Sequence, residues 1–132
     1  MIHRFTLLAA ALVALTWVAA LPPANAAERL PYDAAALAAA QKAGKSILVH
    51  VSAPWCATCK AQKPILDKLA ADPAFKDMVM FELDFDTGGE ALKALNTRVQ
   101  STLIAYKGEK ESGRTVGDTS SGGIEALLKS TL

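Results

Sequence analysis

The chain has 132 residues, 52% of them hydrophobic and 20% charged, with a formal net charge of +1 at neutral pH. That length bounds it to one compact domain, and 14 basic against 13 acidic side chains give no reason to expect nucleic acid or an anionic membrane surface as partner. Two cysteines are too few for a multi-bridge scaffold.

The first stretch is unlike the rest. Met1 to Arg4 is short and basic, Phe5 to Leu21 is uncharged and almost wholly apolar, and Ala24-Asn25-Ala26 offers small residues where a signal peptidase reads. This pattern predicts a secretory signal peptide over residues 1–26 and a domain over 27–132, placed in the periplasm or outside the cell. A permanent membrane anchor competes with it, because Phe5 to Leu21 is at the short end of what spans a bilayer as a helix; Pro22-Pro23 before the Ala-x-Ala site favours cleavage. Loss of Arg4 leaves 13 basic and 13 acidic residues, a neutral domain. Export would carry Cys56 and Cys59 to a compartment where disulfides persist.

Glu28 to Pro31 reads as a short polar lead. Asp33 is placed to cap a helix over Ala34 to Ala43, which Gly44 stops. Ile47 to Ser52 is rich in β-branched residues and nearly apolar throughout, as expected of a strand covered on both faces. Ala53-Pro54-Trp55-Cys56 breaks that strand, and from Ala57 onward Ile65, Leu66 and Leu69 recur at helical spacing, with Pro64 inside the helix and Asp72-Pro73 ending it or starting a further turn. Val79 to Phe85 is a second strand, with Met78 and Met80 as core filling. A helix over about Glu90 to Leu95 follows. Thr102 to Tyr106 and Ser112 to Val116 form a hairpin around Lys107-Gly108-Glu109-Lys110, and Ile124, Leu127 and Leu128 mark a closing helix.

Alternating strands and helices imply parallel pairing with right-handed crossovers, and the final hairpin must be antiparallel. The expectation is an α/β domain: a mixed four-stranded sheet flanked by helices, with an extra helix at its N-terminal end. In such sheets reactive groups gather at the carboxyl end of a strand where a helix begins, which is where Cys56 falls.

Cysteines three apart at a helix start can close a small disulfide ring and open it again. The first sulfur faces unpaired backbone N–H groups and the positive end of the helix dipole, which stabilise its thiolate. Cys56 is therefore the candidate nucleophile and Cys59, expected to be the more enclosed, the resolving thiol. Two other readings compete. A passive bridge would close so short a ring that it constrains the unfolded chain little. A metal site, such as a carrier of copper or of a shared cluster, would need more ligands than Cys56, Cys59 and His50 provide unless a second subunit supplied them.

Ala53-Pro54-Trp55-Cys56-Ala57-Thr58-Cys59-Lys60 after an apolar strand resembles the active site of the thioredoxin superfamily. The likeness continues through Phe81-Glu82-Leu83-Asp84-Phe85-Asp86, the Lys107-Gly108-Glu109 turn and Gly117. The resemblance implies a thioredoxin fold and dithiol–disulfide exchange with protein disulfides, here those of exported proteins. It implies no bound cofactor; a membrane partner for electrons and a monomeric state are separate expectations.

Three departures from the family pattern stand out. Ser101, in Val99-Gln100-Ser101-Thr102, takes the place of the family's cis-proline facing the sulfurs. A non-proline cis bond costs about 3 kcal/mol, so a trans peptide and a reshaped substrate loop at Ser101 and Thr102 are expected, with a weakened barrier to metal capture. His50 replaces the family's buried acid six residues before the first cysteine. It is either a core histidine satisfied by one hydrogen bond or a neutral-pH base for the Cys59 proton, with Glu82 beside it. The dipeptide Ala57-Thr58 lacks the residues that strongly acidify Cys56, which favours a reducing or shuttling role. Trp55 reads as an apolar platform on the active-site rim for substrate.

Overall fold

In the computed structural model, residues 25–132 are described. Apart from its last two residues, the expected signal peptide over 1–26 lies outside the described residues. Among those described, no helix is long and apolar enough to cross a membrane.

Asp33 accepts the backbone N–H of Ala36 at 2.8 Å and starts helix α1, Ala34–Lys42. Gly44, at φ +70°, then turns the chain into strand β2, Ser46–Ser52. Helix α2 covers Ala57–Ala70 and continues through Pro64. Asp72 caps a single 3₁₀ turn, Pro73–Phe75, by accepting from Ala74 N–H. Strand β3 is Val79–Asp84, helix α3 Gly89–Ala94, strand β4 Thr102–Lys107, strand β5 Lys110–Val116 and helix α4 Ser121–Lys129. The β4–β5 turn needs Gly108, which sits at φ +57° with its Cα facing Gly44 so closely that a Cβ would meet Gly44 Cα at 3.3 Å.

The sheet has five strands where four were expected. The extra one, β1 (Glu28–Pro31), is the stretch that reads as a polar lead, and it pairs parallel to β3 in the register Arg29↔Met80 and Pro31↔Glu82. It occupies the sheet edge in the order β1-β3-β2-β4-β5. An edge strand of four residues with a charged pair and a proline carries no apolar alternation, and proline is tolerated there because the outer side of an edge strand needs no ladder donor. β2 pairs parallel to β3 and antiparallel to β4, and β4 pairs antiparallel to β5.

Alternation along the central strands sends side chains to two cores. Ile47, Val49 and Val51 join Phe81, Leu83, Ile104 and the inner face of α1 and α3. Leu48 joins Leu66, Phe75, Met78, Met80, Leu103, Ile124 and Leu128 beneath α2 and α4. The same two-residue period places His50 on the α2 side of β2, in the layer between strand and reactive helix.

Candidate active site

β2 ends at Ser52, and the Ala53-Pro54-Trp55 turn brings Cys56 to the N-cap of α2. Its φ of −80° and ψ of 105° are extended, and its Sγ accepts the backbone N–H of Cys59 at 3.1 Å. An acceptor at a helix N-cap gains from carrying negative charge, because the donors and the dipole both face it. Cys56 and Cys59 are joined in a disulfide with their Cα atoms 5.3 Å apart. In this oxidised state both are 4% exposed, so accessibility does not make Cys59 the more enclosed of the two. Their positions on the helix separate them instead: Cys56 is the cap, whereas Cys59 Sγ lies 3.9 Å from the Val51 carbonyl of β2 and lines a cleft with His50. Ala53 and Phe85 pack against the pair.

Trp55 stands on the rim at 57% exposure. Its indole N–H donates to the Asp86 carboxylate at 3.0 Å, and its ring meets Phe85 edge-on at 6.3 Å between centroids. These two contacts fix the orientation of a large apolar face that stays open to solvent.

Ser101 has a trans peptide bond, and the loop bends through a left-handed φ of +56° at this residue, a conformation that L side chains seldom adopt. Ser101 Oγ donates to the Gln100 carbonyl, and Thr102 Oγ1 to that of Val99, both at 2.6 Å. Both residues are buried, and the Ser101 carbonyl already accepts from Gly117 N–H and from Gln62, so in this oxidised form neither Ser101 nor Thr102 offers the substrate-binding surface expected of them.

His50 is buried and makes two hydrogen bonds, one more than a minimally satisfied core histidine needs. Nδ1 lies 3.1 Å from the Glu82 carboxylate and Nε2 3.0 Å from Gln62 Oε1. Glu82 sits opposite His50 in the β2–β3 register and also accepts from Ser52 Oγ and from Arg29 of β1, each at 3.3 Å. Arg29 is in addition bonded to Asp67 of α2. Gln62, fully buried one turn beyond Cys59, donates its amide N–H groups to the carbonyls of Ser101 at 3.1 Å and Asp118 at 2.9 Å. Among the described residues no buried side-chain N or O lacks a partner.

Burial by itself would raise the Glu82 carboxyl; hydrogen bonds from His50 and Ser52 and the charges of His50 and Arg29 outweigh it and hold Glu82 below its ordinary 4.5. A carboxyl lowered by folding contributes stability that is present above its unfolded value and lost as pH falls through its folded one. Unfolding midpoints in urea should therefore drop as pH falls below about 4.5. The slope over that window should be shallower in Glu82→Gln; equal slopes would remove Glu82 from the account.

Of the residues singled out in the sequence, Cys59, His50 and Glu82 line one cleft, Cys56 is bridged to Cys59, Trp55 stands on the exposed rim, and Ser101 and Thr102 are buried. Sequence reasoning missed Gln62, Arg29 and the bond from Trp55 to Asp86. Gln62 left one signal: it lies on the α2 stripe formed by Cys59, Leu66 and Leu69, a polar residue in an otherwise buried row. His50, Cys59, Arg29, Lys60, Lys63 and Glu82 line an open cleft of about 690 Å³ beside the disulfide. Among the described residues no three His, Cys, Asp or Glu side chains are grouped as a metal ion would require, and both nitrogens of His50 are already engaged.

The thioredoxin family model matches residues 33–130. A thioredoxin from Aspergillus fumigatus is 29% identical over 89 residues, 67% of this chain and 80% of that one. A thioredoxin from Mycobacterium tuberculosis is 34% identical over 85 residues, 64% of this chain and 70% of that one. Among solved structures, Trxlp from Edwardsiella tarda is 40% identical, with a TM-score of 0.74 over 76% of this chain and 98% of that one. The N-cap cysteine, its bridged partner and the surrounding mixed sheet are thus those of a protein dithiol–disulfide oxidoreductase, and the chain belongs to the thioredoxin family.

Proposed function

We propose that this oxidoreductase acts on proteins exported from the cytoplasm, in the reducing or shuttling direction, and is itself re-reduced by a membrane partner. The observation that carries the chemistry is the N-cap position of Cys56, whose sulfur accepts a backbone N–H. The Cys56 thiolate attacks one sulfur of a substrate disulfide, forming a mixed disulfide and releasing the other substrate sulfur as a thiolate. Cys59 then loses its proton and attacks Cys56 Sγ, closing the Cys56–Cys59 bridge and releasing the second substrate sulfur. Two electrons pass to the substrate and the enzyme is left oxidised.

His50 controls the deprotonation of Cys59, and the exposed face of Trp55 receives the substrate. The apolar leader and its Ala-x-Ala site support export. The Ala57-Thr58 dipeptide supports the reducing direction, because neither side chain brings a positive charge to the Cys56 thiolate.

Reduction of insulin disulfides by the processed protein with a dithiol donor tests this reading. The wild type should accelerate precipitation of the insulin B chain, and His50→Gln should slow it and shift its pH profile. An unchanged rate and profile would remove His50 from the reaction. A potential near −120 mV, about that of strongly oxidising dithiols, would reverse the direction. N-terminal sequencing of the exported form should begin at Ala27.

A further inference from the structure

Hydrogen-bond bookkeeping around His50 leaves little choice of protons. The side-chain amide of Gln62 lies against two backbone carbonyls, those of Ser101 and Asp118. Carbonyls only accept, so the amide nitrogen must face them, and turning the amide over would set oxygen against oxygen twice. Oε1 is then the atom presented to His50, and Nε2 must carry the proton shared at 3.0 Å. On the other side of the ring stands the Glu82 carboxylate, which also receives Ser52 and Arg29. A carboxylate held by these donors stays ionised, so Nδ1 must carry a proton too.

We propose that Gln62 is a positioning residue that fixes His50 as a buried imidazolium, so that the charge next to Cys59 is positive and favours the Cys59 thiolate. This rests on the oxidoreductase reading and deepens it. In this state the ring has no lone pair with which to take the Cys59 proton. The proton leaves instead to water in the cleft that Cys59 and His50 share, and the cation stabilises the sulfur left behind.

The charged groups around the ring are of both signs, and the one bonded to it directly is the Glu82 carboxylate. On α2, Gln62 bonds the ring, and Cys59 lines the same cleft with the cations Lys60 and Lys63; on β3, Glu82 pairs with it and Asp84 also lines the cleft; on β1, Arg29 reaches it through Glu82. The sequence Glu82–His50–Gln62 runs from β3 to α2, so the cation is the member of the ion pair beside the reactive helix, and the anion is the remote one.

A cation here stabilises reduced, thiolate-bearing protein relative to disulfide, and so makes the couple more oxidising than it would be with a neutral ring. Gln62 also anchors the loop at Ser101 and the turn at Asp118. A purely structural role would therefore change substrate KM and thermal stability but leave the ring protons and the redox equilibrium alone.

Two measurements on the purified protein decide the matter, and neither needs a protein substrate. Nitrogen-15 NMR of the imidazole at pH 7 should show both ring nitrogens of His50 protonated in the wild type. One bare nitrogen would overturn the proposal, whether or not insulin is reduced. Equilibration with glutathione should show Gln62→Met, of similar volume but with no amide, shifted at least about fivefold toward the disulfide, roughly 20 mV for a two-electron couple. An equilibrium unchanged from wild type, in a variant whose circular dichroism is also unchanged, would overturn it. Should Gln62→Met fail to fold, the wild-type ring spectrum alone decides. Failure of insulin reduction with both ring nitrogens protonated would defeat the proposed substrate class and leave the role of Gln62 standing.

Discussion

Cys59→Ser should convert the enzyme from a catalyst into a trap. With Cys56 intact at the N-cap of α2, attack on a substrate disulfide still occurs, but no second sulfur is present to displace the captured half. The mixed disulfide then accumulates and appears in a non-reducing mass spectrum as the protein plus one substrate fragment. Turnover ends after one event. Cys56→Ser should instead remove the nucleophile, lowering the exchange rate on the order of 10³-fold or more and giving no adduct. The asymmetry follows from position, since the two cysteines are equally buried in the oxidised state. Only Cys56 accepts a backbone N–H at the helix start. An adduct that forms in Cys56→Ser and not in Cys59→Ser would exchange the two roles.

Phe81→Ala should have the largest effect on stability, a loss of about 3–5 kcal/mol. Phe81 lies in the middle of β3, which is hydrogen-bonded to β1 on one side and β2 on the other, and it is almost completely buried. Its ring meets Tyr32 edge-on at 6.4 Å within the core shared with α1 and α3. Truncation removes both the transfer free energy and the packing of a space bounded by a paired sheet, which cannot easily collapse. Since domains of this size are stable by about 5–15 kcal/mol in total, the variant should unfold at a much lower urea concentration with its m-value unchanged. Glu90→Ala on α3, where the side chain is 91% exposed, should move the midpoint by about 0.5 kcal/mol or less. A Phe81→Ala midpoint as close to wild type as that would mean that the core shared with α1 and α3 contributes far less than its burial implies.

The elements that sequence made legible are those whose pattern has one cause. β2 is apolar because both of its faces are covered, and α1 and α4 carry side-chain caps at Asp33 and Ser120. Cys56 and Cys59 announce themselves because spacing, strand end and helix start coincide. β1 was not legible, because what makes Glu28–Pro31 a strand is the free edge of β3, not any property of its own four residues. The His50 network was half legible. A histidine in an apolar strand advertises a buried polar group, and Glu82 follows once β2 and β3 are paired. Gln62 stayed hidden because its meaning lies in two backbone carbonyls, at Ser101 and Asp118, that are 39 and 56 residues away in the chain. Ser101 was legible as a departure from the family's proline, but its left-handed backbone was not.

The reactive anion at the mouth of α2 is most directly tested by alkylating the fully reduced protein across a pH series and locating the modified residue by mass spectrometry. Cys56 should react at mildly acidic pH, with a midpoint well below the 8.5 or so of a free thiol, and Cys59 only at higher pH. If neither sulfur reacts faster than free cysteine at pH 6, the helix start does not activate Cys56 and the mechanism built on it fails.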